Sequence, residues 1–352
     1  MKNLFKWLSL ILLILLQIQV SAQKDTAKTG TPEVDLYKAA LKLMDSSKYE
    51  EAIVPLKKAV KLKNDYIEAW NKLAQAKIKT NDFKGAEKDV KTAIKIAPDN
   101  FEARKNLAVV YYESQKFKEA KAAVDSAMAR SKDDAELFYY QARLMFDGKA
   151  YKQAQEAANQ AIDIRPNYLE AMLLKADTRF EQKEYLYAIR EIDAAMKLMP
   201  ADKPVYGAYK TRAKARFETK DYKNAINDWN VYLEAFPEEE EALIARGACK
   251  IEASDFSGAI ADLDHAIKID PKNPVSYNYR GVAKGENKQF VEALKDLDYA
   301  IKLKFDYGAA FVNRAAIKFA SKDKRGACED LNKADSLGDE MAVKLIERYC
   351  KQ

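Results

Sequence analysis

The chain has 352 residues, 48% of them hydrophobic and 32% charged, and 60 Lys and Arg against 54 Asp and Glu give a formal net charge of +6. With one histidine, three cysteines and 11 glycines, it lacks the material for a zinc-ligand cluster or a glycine-rich phosphate cradle, and no long single-sign run marks a nucleic-acid track. No cofactor, no metal and no nucleic acid is expected.

Lys2 and Lys6 precede an apolar stretch from Trp7 to Leu16, and Val20-Ser21-Ala22 puts small residues before Gln23. This layout predicts a secretory signal peptide over residues 1–22, cleaved between Ala22 and Gln23. The apolar run is short for a membrane span and Gln17 and Gln19 interrupt its extension, so no stable span is expected after cleavage. Cleavage would leave 58 basic residues against 54 acidic ones, because Lys2 and Lys6 go and no acid does. Residues 23–32 are polar and read as a flexible leader. The expected location is the periplasm or cell envelope.

From about residue 33 to 340 a single unit recurs. Alanine stands at Ala52, Ala86, Ala120, Ala154, Ala188, Ala225, Ala259, Ala293 and Ala327, a spacing of 34 broken by one step of 37. Seven residues on, on the same helix face, are Ala59, Ala93, Ala127, Ala161, Ala195, Ala266, Ala300 and Ala334, with Tyr232 the one substitute. Twelve residues before the first row lies another small row, running from Ala40 and Ala74 to Gly247, Gly281 and Ala315. An aromatic residue sits three before the first row, from Tyr49 and Phe83 to Phe290, until Lys324 breaks the rule, and these rings are expected to plug the space between neighbouring hairpins. Pro98, Pro166, Pro200, Pro237 and Pro271 supply stops. Each unit reads as helix, turn, helix, stop. Two irregularities are expected: Pro55 should kink the second helix of its unit, and three extra residues near Lys203 to Val205 lengthen one connection.

A 34-residue helical hairpin with small, small, aromatic and proline positions in this order resembles the tetratricopeptide repeat. The resemblance covers nine units, beginning at about Glu33, Ile67, Phe101, Ala135, Leu169, Tyr206, Glu240, Pro274 and Gly308. It implies an all-α fold, a right-handed α-solenoid of about nine tetratricopeptide hairpins over residues 33–340. A C-terminal capping helix is expected over 341–352, with Met341, Leu345 and Tyr349 on its packing face. Cys328 and Cys350 lie eleven residues either side of Asp339, where the chain should turn, so antiparallel helices would bring the sulfurs level. A disulfide is the expectation for an exported protein, two buried thiols the alternative. Cys249 occupies a packed small-residue place.

Arg212, Arg246, Arg280 and Arg314 recur at the seventh place of four units, and Asp228, Asp262, Asp296 and Asp330 follow sixteen residues later in each; Lys175 and Glu191 repeat the pattern one unit earlier. An acid in step with the base predicts an ion-pair ladder inside the stack rather than a row of arginines awaiting an anion. His265, alone in the chain, reads as a surface or packing residue, and no triad forms around it. Catalysis is not expected.

The resemblance also implies a groove lined by the second, fifth, ninth, twelfth and thirteenth places of each first helix, receiving a peptide or protein segment. Its candidate residues are Tyr112, Tyr139, Arg143, Phe146, Asp177, Phe180, Lys210, Lys214 and Phe217. Packing of the twelfth-place aromatics inside their own hairpins is the competing reading. A clamp for acidic chaperone tails is disfavoured, because its places hold Tyr37, Leu41, Lys72, Glu102 and Asn106. The expected function is a non-enzymatic protein-interaction scaffold of the envelope. The alternative is a polysaccharide or peptidoglycan binder that stacks sugars on the same aromatics.

Overall fold

The structure, a computed structural model, describes residues 30–200 and 203–350. The expected signal peptide and its cleavage site lie outside the described residues. Every regular element among those described is an α-helix. The chain divides into two compact units, Met1–Pro166 and Asn167–Gln352.

In the first unit, four hairpins follow in order: α1 (Pro32–Asp45) with α2 (Tyr49–Leu62), α3 (Ile67–Lys79) with α4 (Phe83–Ile96), α5 (Phe101–Glu113) with α6 (Phe117–Met128), and α7 (Ala135–Asp147) with α8 (Tyr151–Ile164). The second unit has five: α9 (Leu169–Glu181) with α10 (Tyr185–Met196), α11 (Tyr206–Glu218) with α12 (Tyr222–Ala235), α13 (Glu240–Glu252) with α14 (Phe256–Ile269), α15 (Pro274–Glu286) with α16 (Phe290–Leu303), and α17 (Gly308–Ala320) with α18 (Lys324–Ser336). A closing helix, α19 (Glu340–Tyr349), ends it. Apart from the first helix, which starts at Pro32, the unit starts read from the sequence are the first residues of helices. α2 continues as one helix through Pro55, where the proline supplies no N–H to the helical ladder.

The small rows explain why the helices come close. All nine alanines of the first row are fully buried, as are the eight of the second. Where the facing residue is large, even alanine is too big: a Cβ on Gly281 would lie 2.7 Å from Leu297 Cγ. Within each unit consecutive helices pack in chain order, and first helices of successive hairpins also touch, as α3 with α5 and α13 with α15.

The hairpin turns share one device. Ser47, Asn81, Gln115, Lys149, Lys183, Lys220, Ser254, Lys288 and Lys322 all hold φ between 58° and 69°. In each turn the next amide donates to the carbonyl five residues back, as Asp82 to Lys77 and Gln289 to Lys284. That is a Schellman closure with a non-glycine residue in the left-handed region. The second helix is capped in several hairpins by an aspartate: Asp82, Asp255 and Asp323 accept from the amides of Gly85, Gly258 and Gly326. Pro98, Pro166, Pro237 and Pro271 stand two residues past a helix end.

Gly338, with φ of 83°, turns the chain into α19. The packing face of α19 differs from the expected one: Met341 is 62% exposed, and Ala342, Leu345 and Ile346 cover the α17–α18 pair, with Tyr349 against Phe319. Places 342, 345, 346 and 349 form one stripe at 3.6 residues per turn, whereas Met341 lies beyond its edge. The structure joins Cys328 to Cys350, Cα atoms 5.8 Å apart, and leaves Cys249 as a buried thiol. A cross-link of this loop length stabilises by about 3 kcal/mol. Protein purified without reductant should titrate one thiol in denaturant; three would show that the bond does not form in solution.

Candidate partner-binding site

The predicted ladder residues meet in the second unit. Arg212 donates to Asp228 through Nε at 3.0 Å and Nη2 at 2.6 Å. Arg246 with Asp262, Arg280 with Asp296 and Arg314 with Asp330 repeat this two-bonded geometry, and Lys175 reaches Glu191 at 2.8 Å. The four aspartates are buried. Each also takes a second base from four residues further along the first helix: Arg216, Lys250, Lys284 and Lys318 at 2.7–2.8 Å. The remaining arginine nitrogen reaches back to the preceding hairpin, at Asp193, Asn230, Asp264 or Asp298. Each of the four buried aspartates is therefore paired with two bases within the stack, and the four seventh-place arginines are engaged by acceptors on two hairpins. The sequence reading missed these second bases and outer acids, although they recur at the same 34-residue spacing.

In the first unit, Tyr112, Tyr139 and Arg143 come together. Tyr112 is buried and its hydroxyl donates to Asp147 Oδ2 at 2.6 Å. The Arg143 guanidinium lies 4.5 Å from the Tyr112 ring centre and donates to the Tyr139 hydroxyl at 3.3 Å. Phe146 is half-buried against Tyr151. In the second unit Phe180 meets Tyr185 and Phe217 meets Tyr222, both with ring centres 5.5 Å apart. The twelfth-place aromatics thus pack on the aromatic that opens their own second helix. The second-helix rings also reach the next hairpin, as where Phe290 packs on the cluster that holds Ile317.

Phe180 and Phe217 nevertheless keep one side free. They line a cavity of about 340 Å³ with Trp229, Ile244, Val275 and Tyr279, rimmed by Lys214, Glu218 and Glu241. Eight of its twelve lining residues occupy the first-helix places named above. Trp229, 1% exposed, and Cys249, fully buried, form its floor. Burial pushes the Cys249 thiol up to about 12, so it is un-ionised and chemically quiet. Lys214 pairs with Glu241 at 2.7 Å, and Lys210 with Glu239 at 2.6 Å and Glu241 at 3.3 Å. Neither lysine stands free.

Asp177 accepts from the Thr211 hydroxyl at 2.9 Å. Burial raises its carboxyl to about 6, with the Thr211 bond opposing and Glu181 adding to the rise. A folded pKa above the unfolded one means the folded state holds the extra proton between the two, so stability falls as pH rises from about 4 to 6. Asp177→Asn should flatten that slope and stabilise the protein at pH 7 by about 1–2 kcal/mol. Urea melts at pH 4.5 and 7 check this, and an unchanged slope would contradict it. His265, the lone histidine, pairs with the Glu238 carboxylate at 3.1 Å on the surface.

Stacked hairpins with first helices lining a cavity define an α-helical repeat array. Models of the tetratricopeptide repeat match residues 40–81, 81–144 and 210–274, and the chain belongs to the tetratricopeptide repeat family. Two similar structures are a crystal structure of the APC/C hetero-tetramer Cut9-Hcn1 and pilF of Pseudomonas aeruginosa, both at TM-score 0.52. The first is 14% identical over 89% of this chain and 75% of that one; the second is 15% identical over 58% and 92%. At such identities the likeness is one of fold. Among curated proteins none matches the sequence. Proteins of this family are in general protein-interaction scaffolds.

Proposed function

We propose that the protein is a non-enzymatic scaffold of the cell envelope that holds an extended peptide or protein segment along the first helices of its second unit. One observation carries this reading: a preformed apolar cavity of about 340 Å³, built from side chains of four successive hairpins and edged by the Lys214–Glu241 pair. An apolar side chain of the partner fills the cavity, and its backbone lies against the charged rim. Because the walls are ordered before contact, little conformational entropy is lost on binding. The glycan alternative has less support, since Phe180 and Phe217 each give one side to a neighbouring tyrosine and the walls hold few hydrogen-bonding groups for sugar hydroxyls.

A display of random peptides tests the site. Selected peptides should share a central apolar residue and lose binding to Phe217→Ala protein, while binding to insoluble glycan alone would favour the alternative. The envelope assignment rests on the N-terminal sequence. Its check is the mature N-terminus from cells, Gln23 if the signal is cleaved and Met1 if it is not.

A further inference from the structure

On the first unit, α4 carries Lys84, Lys88, Lys91 and Lys95 at steps of four, three and four residues, which places all four on one face over about 16 Å. All four are exposed. They line a cleft of about 890 Å³, and Lys116 from the start of the next second-helix segment joins them. Glu87 is the only acid in the lining, and it is held by Lys91 at 2.6 Å and Lys116 at 2.8 Å. Among the described residues, Lys84, Lys88 and Lys95 make no ion pair. The hydroxyls of Thr92 and Ser114 donate to the carbonyls of Lys88 and Val110, so the ammonium groups are the side-chain donors left to a ligand.

Like charges at these spacings destabilise a helix, and no other second helix among the described residues carries lysine at all four places, α2 having only Lys57 and Lys61. In α14 they hold Ser257, Ala261, Asp264 and Lys268, and in α16 Val291, Lys295, Asp298 and Lys302. There the third place is the acid that receives the next hairpin's arginine. After α4 the arginine's place is taken by Leu107, and the acid's place by Lys91. The arginine ladder belongs to the second unit, and on α4 a lysine stands where later hairpins place the outer acid.

We propose that this cleft binds a linear phosphate polymer without bases. Five cations, all lysine and none arginine, suit phosphate oxygens met as point charges more than carboxylates gripped two-pronged. A single-stranded nucleic acid would also want open aromatic faces; Phe83 is half-buried, and the Lys91 and Lys116 ammoniums lie 6.0 and 5.5 Å from the Tyr111 ring centre. Four lysines in single file over about 16 Å match a thread of phosphates more closely than the broad surface of a bilayer.

The test is binding of long-chain inorganic polyphosphate to the full chain at 50 and 200 mM salt. Lys84→Gln/Lys88→Gln/Lys95→Gln should weaken binding about tenfold or more and reduce its salt dependence. A control with the same net charge, Lys152→Gln/Lys223→Gln/Lys268→Gln, should change it less than about twofold by the same electrostatics. Thermal melts confirm that both variants fold. Absence of binding by the unaltered protein, or equal loss in both variants, would overturn the proposal. So would tighter binding of single-stranded DNA of equal charge, which points to nucleic acid, or capture by phosphatidylglycerol vesicles in place of the polymer, which points to a membrane.

Discussion

Asp296→Ala should destabilise the second unit by about 3–5 kcal/mol, the loss expected when one partner of a buried pair is removed and the other stays. Asp296 is buried and bound by both Arg280 and Lys284, with N–O separations of 2.6–2.9 Å. Its removal leaves two ammonium-type charges facing an apolar interior with only Asp264 as counter-ion to Arg280. Arg280→Ala should cost less, since Lys284 still neutralises Asp296. The double variant Arg280→Ala/Asp296→Ala should be more stable than the sum of the single losses by at least about 1 kcal/mol, the usual coupling of groups in one network. Urea unfolding of the three variants measures it. Strict additivity would mean the ladder has no energetic unity.

Trp229→Ala is the second large loss, about 3–5 kcal/mol for a large side chain removed from a packed core. Trp229 stands where the equivalent hairpins have Leu263, Leu297 and Leu331, all fully buried. Its ring meets Tyr232 edge-on at 5.9 Å, and the Tyr232 hydroxyl donates to Glu239. Tyr232, the one exception in the second alanine row, and Trp229 thus belong to a single local enlargement of the core. Truncation would deepen the cavity between Phe217 and Val275 and remove its floor, so peptide affinity should fall with stability. Trp229→Phe separates the two effects: a small stability loss with binding kept is expected, and a wild-type melt for Trp229→Ala would refute the packing described.

The repeat frame was legible because close helix approach demands a small residue at fixed places, and a 34-residue recurrence of alanine is hard to hide. The ladder was half legible. Arg280 and Asp296 stand out as a pair, whereas Lys284 and Asp264 looked like the solvated charges that cover any helical face. The left-handed turn residues were not legible at all. Lysine and serine fill places where glycine would have announced the conformation, and only the helix-end hydrogen bonds force them there. For the candidate site, Phe180, Phe217 and Lys214 stand at first-helix places and line the cavity, but sequence carries no sign of the tyrosine partners of the phenylalanines or of Lys214 being tied to Glu241. Met341 failed for a simpler reason: a spacing of four drifts about 40° per step from a helical stripe, and the first residue of three falls off its edge.

The claim that first-helix side chains of the second unit receive a protein segment is open to direct capture. A photoreactive residue in place of Phe180, with Lys268 on the exposed face of α14 as the control position, is irradiated in intact cells. Discrete protein adducts from position 180 and none from 268 are expected. No adduct at 180, or the same adducts from both, would contradict a binding site at this cavity.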